Sequence, residues 1–393
     1  MKDRLTIAAS LPEDLDRATL VGRVWKPGGG PVPAVVRRDA VYDISALATT
    51  VSTLLEMDDV AQALRETKAW PRLGSLEAVL VNSAWNAHDE ATPWFLAPCD
   101  LQAIKASGVT FVSSLLERVI EEQARGDPSK AQAVRNAMVA VIGEDLAVVR
   151  PGSAEAARLK EILLQQGAWS QYLEVGIGPD AEIFTKSQPM SAVGTGVEIG
   201  IHPKSDWNNP EPEIVLTVNS RGQTVGATLG NDVNLRDFEG RSALLLGKAK
   251  DNNASCAIGP FVRLFDEHFT IDDLRACELK MRVDGPEGFV LEGSSSMAMI
   301  SRDPLDLVGQ AIGANHQYPD GLMLFLGTMF APTLDRLGPG QGFTHVIGDI
   351  VTISTPRIGT LVNRVNRSDR IEPWTFGLRA LIESLAQRST QSR

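Results

Sequence analysis

The chain contains 393 residues, of which 43% are hydrophobic, 22% charged and 6% aromatic, the composition of an ordinary globular protein. A chain of this length can bury a large core and is expected to form two unequal domains. Its 49 acidic and 38 basic residues give a net charge of −11, which argues against a nucleic-acid-binding protein because such a surface needs clustered basic residues.

Residues 1–100 are predicted to form a small N-terminal domain. Strand-like runs at 19–24 and 34–38 flank the Gly- and Pro-rich turn at 28–33, and a segment rich in Trp and Pro ends near Pro98. Residues 101–393 then form the larger domain.

The larger domain is predicted to be richer in strands than in helices. Ser114-Leu-Leu-Glu117 has the pattern of a capping box, at the start of a helix that Gly126 stops. Three further helices are predicted, at about 153–167, from Asp303-Pro304 onward and at 374–387. Strand-like segments dominate residues 170–300 and return at 322–326 and 349–354. Because strands and helices do not alternate, we predict an α+β, β-rich fold with a mostly antiparallel core.

The cysteines and the N-terminus indicate a cytoplasmic protein. Cys99, Cys256 and Cys277 have no Cys-x-x-Cys spacing and are predicted to be reduced, buried and inert. No apolar segment follows the charged N-terminus, and no run approaches about 18 consecutive apolar residues, so we expect neither export nor a membrane span.

Three carboxylates are predicted to converge on one hairpin. Glu211 and Glu213 are two residues apart, so on a strand their side chains face the same side, and the prolines before them place them at a strand entrance or edge. A two-residue loop at Arg221-Gly222 would place Asp232 opposite Glu211, with Cβ atoms about 5 Å apart. A slip of one residue in register would turn Asp232 to the other face.

Such a cluster favours a bound metal ion. Converging carboxylates raise one another's pKa unless a cation neutralises them, and oxygen ligands without nearby Cys or His favour Mg²⁺, then Mn²⁺ or Ca²⁺. In a chain of net charge −11, a local cation would also help to capture an anionic substrate. In a chain with 49 acidic residues, however, a Glu-x-Glu pair near a turn is usually part of a solvated surface, and the spacing alone favours that interpretation over a metal site.

The order of motifs from Pro210 to Pro260 resembles the fumarylacetoacetate hydrolase family, in which Glu-x-Glu is followed by Asn-Asp, a Lys and a Gly-Pro. The corresponding residues are Glu211-Pro-Glu213, Asn231-Asp232, Lys250 and Gly259-Pro260. Further matches are Ala181-Glu-Ile-Phe-Thr-Lys186, Gly327-Thr328 and Ile358-Gly-Thr-Leu-Val-Asn363. The resemblance covers about residues 105–365. It implies a C-terminal catalytic domain built as a mixed β-sandwich or roll, with Mg²⁺ held by Glu211, Glu213 and Asp232.

Within the family, residues 230–246 and 250–260 are most similar to bacterial sugar-acid dehydratases that act on 2-keto-3-deoxy-D-pentonates. The resemblance implies a metal-dependent hydro-lyase of pentose degradation. It would convert a 2-keto-3-deoxy-D-pentonate, derived from D-xylonate or D-arabinonate, to 2,5-dioxopentanoate. Its partner would be this small anionic 2-keto sugar acid, and it would assemble as a homodimer or homotetramer.

The resemblance also implies roles for individual residues. Lys250 would act as a base or hold an enolate oxygen, Glu182 would be an acid or base on the opposite side, and Glu117 would arrive when a lid helix closes. Substrate contacts are expected from Ser114, Lys186 and Thr328. A capping box explains Ser114 and Glu117 equally well without catalysis, and Arg236 is expected to form a structural ion pair.

Two alternatives remain. Hydrolytic members of the family commonly carry His-x-x-Glu on the lid, where this chain has Ser114-Leu-Leu-Glu117, and no histidine falls in that segment. A hydrolase cleaving the C–C bond of a 2,4-diketo acid is therefore the alternative function, although it lacks an evident water-activating dyad. A catalytically inactive sugar-acid-binding protein is the third hypothesis, which the presence of all three carboxylates and Lys250 disfavours.

Overall fold

The computed structural model describes residues 1–66, 69–86, 88–142, 149–165, 167 and 169–391. The strands are, in chain order, β1 (Leu20–Lys26), β2 (Gly30–Val36), β3 (Ala40–Asp43), β4 (Arg72–Ser75), β5 (Trp94–Leu96), β6 (Ala103–Ser107), β7 (Ile183–Ser187), β8 (Glu198–Ile201), β9 (Asn208–Asn209), β10 (Pro212–Val218), β11 (Thr224–Asp232), β12 (Asn234–Leu235), β13 (Cys256–Leu264), β14 (Glu278–Asp284), β15 (Val290–Ser296), β16 (Leu322–Phe325), β17 (Ile350–Thr355) and β18 (Gly359–Arg367).

The α-helices are α1 (Ile7–Ser10), α2 (Val51–Leu55), α3 (Val60–Arg65), α4 (Leu76–Asn82), α5 (Val112–Gln123), α6 (Pro128–Ile142), α7 (Ala154–Gln165), α8 (Gln171–Ile177), α9 (Arg236–Glu239), α10 (Leu246–Lys250), α11 (Ile271–Arg275), α12 (Pro304–Ala311) and α13 (Leu378–Gln391). Short 3-10 turns lie at Lys2–Arg4, Leu15–Arg17, Ala243–Leu245 and Met297–Met299. In the described part of the chain, no helix is both long enough and apolar enough to cross a membrane.

One large sheet runs through the molecule. Its strand order is β4-β3-β2-β1-β13-β11-β10-β16-β6-β7, with β5 also paired to β1, and every pair is antiparallel except β16 with β6. The N-terminal strands thus continue the sheet beyond β13. The division of the chain into domains at residue 100 remains a prediction.

A second sheet packs against the first. It has the order β15-β14-β17-β18-β8. Ile214 and Leu229 of the central hairpin belong to the same buried cluster as Met281 and Ile353 of the second sheet. Val215, which alternates with Ile214 along β10, instead joins the cluster on the opposite face, to which α2 and α3 also contribute. The predicted α+β fold with a β-sandwich core is confirmed.

Helices α5, α7 and α8 share a smaller buried cluster that includes Leu115, Leu163 and Leu173. The N-cap of α5 is Phe111, and the Ser114 hydroxyl donates to the Phe111 carbonyl at 2.8 Å. The predicted capping box is therefore wrong, because Ser114 lies inside the first turn and bonds back to the preceding backbone. The helices predicted at 153–167 and from Asp303-Pro304 are present.

The three cysteines are free and buried, as predicted. Burial raises the pKa of the Cys99 thiol to about 12 and that of Cys277 to about 11, so neither forms a thiolate readily near neutral pH.

Candidate metal centre

The hairpin β10–β11 lies at the centre of the large sheet and brings the three predicted carboxylates together. Glu213 pairs with Gly230, and the Asp232 amide donates to the Glu211 carbonyl at 3.0 Å. The predicted register, with Asp232 opposite Glu211, is therefore correct.

The predicted two-residue loop of this hairpin is wrong. The Asn219 amide donates to the Gln223 carbonyl at 3.0 Å, which leaves three residues in the loop, and Gly222 adopts a positive φ of 77°. The register then shifts between Thr217 and Val218. This bulge restores the predicted alignment before the strand reaches the carboxylates.

The carboxylates of Glu211, Glu213 and Asp232 are almost fully buried, with exposures of 1–2%. Their oxygens lie within 4.8 Å of one another. Two oxygen ligands of one Ca²⁺ ion, each about 2.3–2.6 Å from it, can be this far apart, whereas those of Mg²⁺, at about 2.0–2.1 Å, lie closer together. The donor set and its geometry therefore fit a hard divalent cation.

The backbone at Gly327 helps to position Glu213. The Gly327 amide donates to Glu213 Oε2 at 2.7 Å. Gly327 has a positive φ of 94°, and a Cβ there would lie 2.1 Å from the Thr110 hydroxyl oxygen. Only glycine fits this position without displacing Thr110.

Two buried lysines contact the metal-ligand candidates. Lys250 Nζ lies 2.5 Å from Glu211 Oε2 and 2.9 Å from Asp232 Oδ2, and Lys186 Nζ lies 2.9 Å from Asp232 Oδ1. Burial alone would raise the pKa of Asp232, but the two ammonium groups outweigh it and hold that pKa below its ordinary value. The structure thus brings both lysines to the triad.

A buried ion-pair network that the sequence analysis missed surrounds Glu211. Arg118 of α5 contacts Glu211 directly, and its Nη1 lies 2.5 Å from Glu121 Oε2 and 3.2 Å from Glu239 Oε2. Arg236 Nε lies 3.1 Å from Glu121 Oε1, which is the ion pair expected of Arg236. The spacing of Arg118 and Glu121 is typical of a helix surface, and nothing local distinguishes it from a solvated pair.

Acidic groups outnumber basic ones in this cluster. The buried acids are Glu121, Glu211, Glu213, Asp232 and Glu239. The buried bases are Arg118, Lys186, Arg236 and Lys250. Burial, followed by repulsion from Asp232 and Glu211, raises the pKa of Glu213 well above its usual range. A divalent cation between the three ligands would remove this excess of negative charge.

Glu182 precedes β7 and faces the same network. Burial, and then the charge of Glu239, raise its pKa to about 7, while Arg118 and Lys250 act in the opposite direction. Its carboxyl group lies over Gly108, where a Cβ would be 1.8 Å from Glu182 Oε2. A carboxyl with this pKa can donate or accept a proton near neutral pH.

Three of the predicted site residues have other contacts. The Ser114 hydroxyl is bonded within α5, and Glu117 forms an ion pair with Arg135 of α6 at 2.8 Å. The Thr328 hydroxyl donates to the Phe330 carbonyl at 2.9 Å, although Thr328 directly follows the Gly327 amide that binds Glu213. The structure does not bring these three side chains into contact with the triad.

Comparisons with known proteins identify the family. Residues 165–366 match the family described as fumarylacetoacetate (FAA) hydrolase, C-terminal. A protein of Haloferax volcanii, named a probable 2-keto-3-deoxyxylonate dehydratase, is 30% identical over 268 residues, which are 68% of this chain and 86% of that relative. The 2-dehydro-3-deoxy-D-arabinonate dehydratase of Saccharolobus solfataricus is 30% identical over 190 residues, which are 48% of this chain and 60% of the relative.

Solved structures with the same fold include 2-keto-3-deoxy-D-arabinonate dehydratase in its apo form, with a TM-score of 0.60 at 22% identity. The same enzyme complexed with magnesium and 2,5-dioxopentanoate gives a TM-score of 0.60 at 21% identity. Each comparison covers 88% of this chain and 99% of the other. Because residues 165–366 match the family model and the chain is homologous to the Haloferax protein, this chain belongs to the fumarylacetoacetate hydrolase family.

Proposed function

We propose that this protein is a divalent-metal-dependent hydro-lyase that removes water from a 2-keto-3-deoxy-D-pentonate and forms 2,5-dioxopentanoate. The observation that carries the proposal is the buried triad of Glu211, Glu213 and Asp232, with Lys250 bridging two of its members. The names of the two homologous dehydratases support the choice of substrate class.

The reaction requires loss of a proton from C3 and of hydroxide from C4. Glu211, Glu213 and Asp232 would hold a divalent cation, which would supply Lewis-acid polarisation of the C2 ketone. We assign to Lys250 the positive charge that stabilises the anionic oxygen formed on C2, because its ammonium group lies beside two of the metal-ligand candidates.

The C4 hydroxide is a poor leaving group and needs a proton donor. We assign this role to Glu182, whose pKa of about 7 leaves a large protonated fraction at neutral pH. Removal of the C3 proton, for which Glu117 is the proposed base, and departure of the C4 hydroxyl group as water leave a C3–C4 double bond conjugated with the C2 ketone. A proton then moves from C5 to C3, and the resulting C4–C5 enol tautomerises to the aldehyde. The step is redox-neutral and needs no covalent nucleophile.

Substrate contacts are proposed for Lys186, Thr328 and Ser114, with Glu117 as a further acid or base. Ser114 and Glu117 lie on α5, the helix that also provides Arg118. Because the triad is 1–2% exposed, substrate reaches it only when covering residues such as Arg118 move. Movement of α5 would change the positions of Ser114 and Glu117 at the same time.

We further propose a cytoplasmic homodimer or homotetramer with an N-terminal domain at 1–100 and a catalytic domain at 101–393. The free, buried cysteines are consistent with a reducing compartment. Sedimentation equilibrium of the purified chain tests the assembly, and a monomer at micromolar concentration would contradict it.

The decisive experiment is an assay with 2-keto-3-deoxy-D-pentonate in Mg²⁺, with and without a chelator, followed by NMR detection of 2,5-dioxopentanoate. We expect product only with the metal. A C–C hydrolase would instead release pyruvate from a 2,4-diketo acid; within the described residues, no histidine contacts the triad to activate water. Pyruvate release without formation of 2,5-dioxopentanoate would refute the dehydratase assignment.

A further inference from the structure

A cavity of about 540 Å³ lies between β1, the segment at 83–97, the segment at 190–198 and the C-terminal segment at 370–376. None of the charged residues of the metal centre lines it. Its volume falls within the range of about 300–1,000 Å³ that is typical of small-molecule sites.

Aromatic side chains form much of the cavity wall. Four of the seven tryptophans of the chain line it, together with Phe376: Trp25, Trp85, Trp94 and Trp374. Trp25 and Trp94 are stacked, with ring centroids 5.6 Å apart, and Phe376 meets Trp25 edge-on at 5.1 Å. Trp85 and Trp374 remain 40% and 46% exposed, and although the Arg364 guanidinium lies over the Trp85 ring, 4.6 Å from its centroid, both side chains keep aromatic surface open to a ligand.

The cavity also contains a buried cation with few partners. Arg23 of β1 is 5% exposed, and among the described residues its guanidinium makes one hydrogen bond, to the Met190 sulfur at 3.4 Å. The nearest carboxylate, that of Asp100, lies 4.0 Å away, and its oxygens accept the amides of Val51 and Ser52 at 2.7 and 2.9 Å. Most of the five N–H donors of Arg23 are therefore free for an anion.

Two of the other polar groups of the wall are already occupied, whereas the side chains of His88, Arg370 and Glu372, which also line the cavity, are exposed. Glu198 contacts Arg364 and accepts from Asn366, and the Ser83 hydroxyl donates to the Val79 carbonyl at 2.8 Å. Away from these exposed side chains, a ligand rich in hydroxyl groups would find few free partners in the wall. A ligand with an apolar ring and one anionic group matches what the wall offers.

We propose that this cavity binds a small aromatic carboxylate. Its carboxylate pairs with Arg23, and its ring packs against the exposed tryptophans. A bidentate pair with a carboxylate would satisfy a buried guanidinium that the protein itself leaves without a close counter-ion. The site is separate from the metal centre and does not depend on the proposed reaction.

Isothermal titration calorimetry with 3-phenylpropionate tests this site, with 3-phenylpropionamide as the uncharged analogue and D-xylonate as the hydroxylated anion. We expect sub-millimolar binding of 3-phenylpropionate and at least tenfold weaker binding of the amide and of D-xylonate. Arg23→Gln should lower affinity for the acid to that of the amide. Trp374→Ala should weaken binding at least fivefold, whereas the matched control Trp169→Ala, outside the cavity, should not.

Glu213→Gln separates the two sites, because it should leave binding of 3-phenylpropionate unchanged. Trp374 lies at the exposed edge of the cavity, so Trp374→Ala should fold and still tests the proposal if Arg23→Gln does not fold. Equal affinity for the acid and the amide would overturn the proposal, as would unchanged binding by Trp374→Ala. Tighter binding of D-xylonate than of 3-phenylpropionate would overturn the choice of ligand class.

Discussion

Replacing Glu213 with Gln removes one charge from the metal centre while almost preserving the shape of the side chain. At a separation of up to 4.8 Å and an effective dielectric constant of about 20, two carboxylates repel each other by about 3.5 kcal/mol. Burial and this repulsion already raise the pKa of Glu213. In the absence of metal, the variant should therefore be at least as stable as the wild type.

With metal present, the wild type should instead be more stable than the variant. Loss of residues that merely orient metal ligands typically weakens affinity about 10–100-fold, so loss of a ligand should cost at least about 100-fold. Mg²⁺ at about 100 times its wild-type Kd stabilises the wild type by about 2.7 kcal/mol, and at the same concentration it would stabilise the variant by about 0.4 kcal/mol. An unfolding entropy of about 2.1 cal/mol/K per residue over 393 residues converts these values to Tm shifts of about 3 °C and 0.5 °C.

Differential scanning fluorimetry in chelator and in MgCl₂ measures both effects, and turnover of the sugar acid is measured in parallel. The matched control is Glu278→Gln, an exposed position on β14 that should keep the wild-type shift. An equal Mg²⁺-dependent Tm shift in Glu213→Gln and in the wild type would refute the assignment of Glu213 as a ligand.

Three further predictions concern the surrounding groups. Arg118→Met leaves three buried carboxylates without the cation that they share, so the free energy of unfolding measured with urea should decrease by about 3–5 kcal/mol. Arg118→Lys should recover part of this free energy. An unchanged urea midpoint in Arg118→Met would contradict the prediction. Because the proposed proton donor Glu182 ionises near pH 7, kcat should fall as pH rises through that value. Glu182→Gln should lower kcat and remove this decrease from the pH profile. Burial keeps the pKa of His345 below its ordinary value despite Asp349, so the unfolded chain takes up a proton first as pH falls below about 6.5. The free energy of unfolding should therefore decrease below that pH, and less so in His345→Gln; equal slopes would contradict the prediction.

The geometry of the three carboxylates could be predicted from the sequence because it depends on local rules. Side chains two residues apart share a strand face, and antiparallel pairing relates Asp232 to Glu211 once the hairpin is recognised. The details of the loop could not be predicted, since a bulge beside Val218 compensates for the extra loop residue. The longer loop and the bulge shift the register in opposite directions, so the predicted pairing of Asp232 with Glu211 is still correct.

Contacts between distant segments could not be predicted. Arg118 meets Glu211 and Glu239 only because α5 packs against α9 and reaches the residue that precedes β10, and no spacing in the sequence encodes that approach. Helix α6 was missed although Asp127-Pro128 carries the same cap signal as Asp303-Pro304, and Asp127 accepts the Ser129 amide at 3.1 Å. The N-terminus of α6 could therefore have been predicted from the sequence.

The pairing of β1 with β13 also affects how the chain is made. Leu20 lies opposite Arg263, which is synthesised 243 residues later. At about 5–20 residues per second, ribosomes need roughly 12–50 seconds to supply this partner strand. During that time β2 can pair with one edge of β1 and β5 with residues 23–25 of the other edge, but Leu20 and Val21 have no neighbour where β13 will lie. Nascent chains of this protein therefore carry a short unpaired stretch of strand edge, at Leu20 and Val21, through most of their synthesis, and such an edge can pair with other chains until β13 covers it.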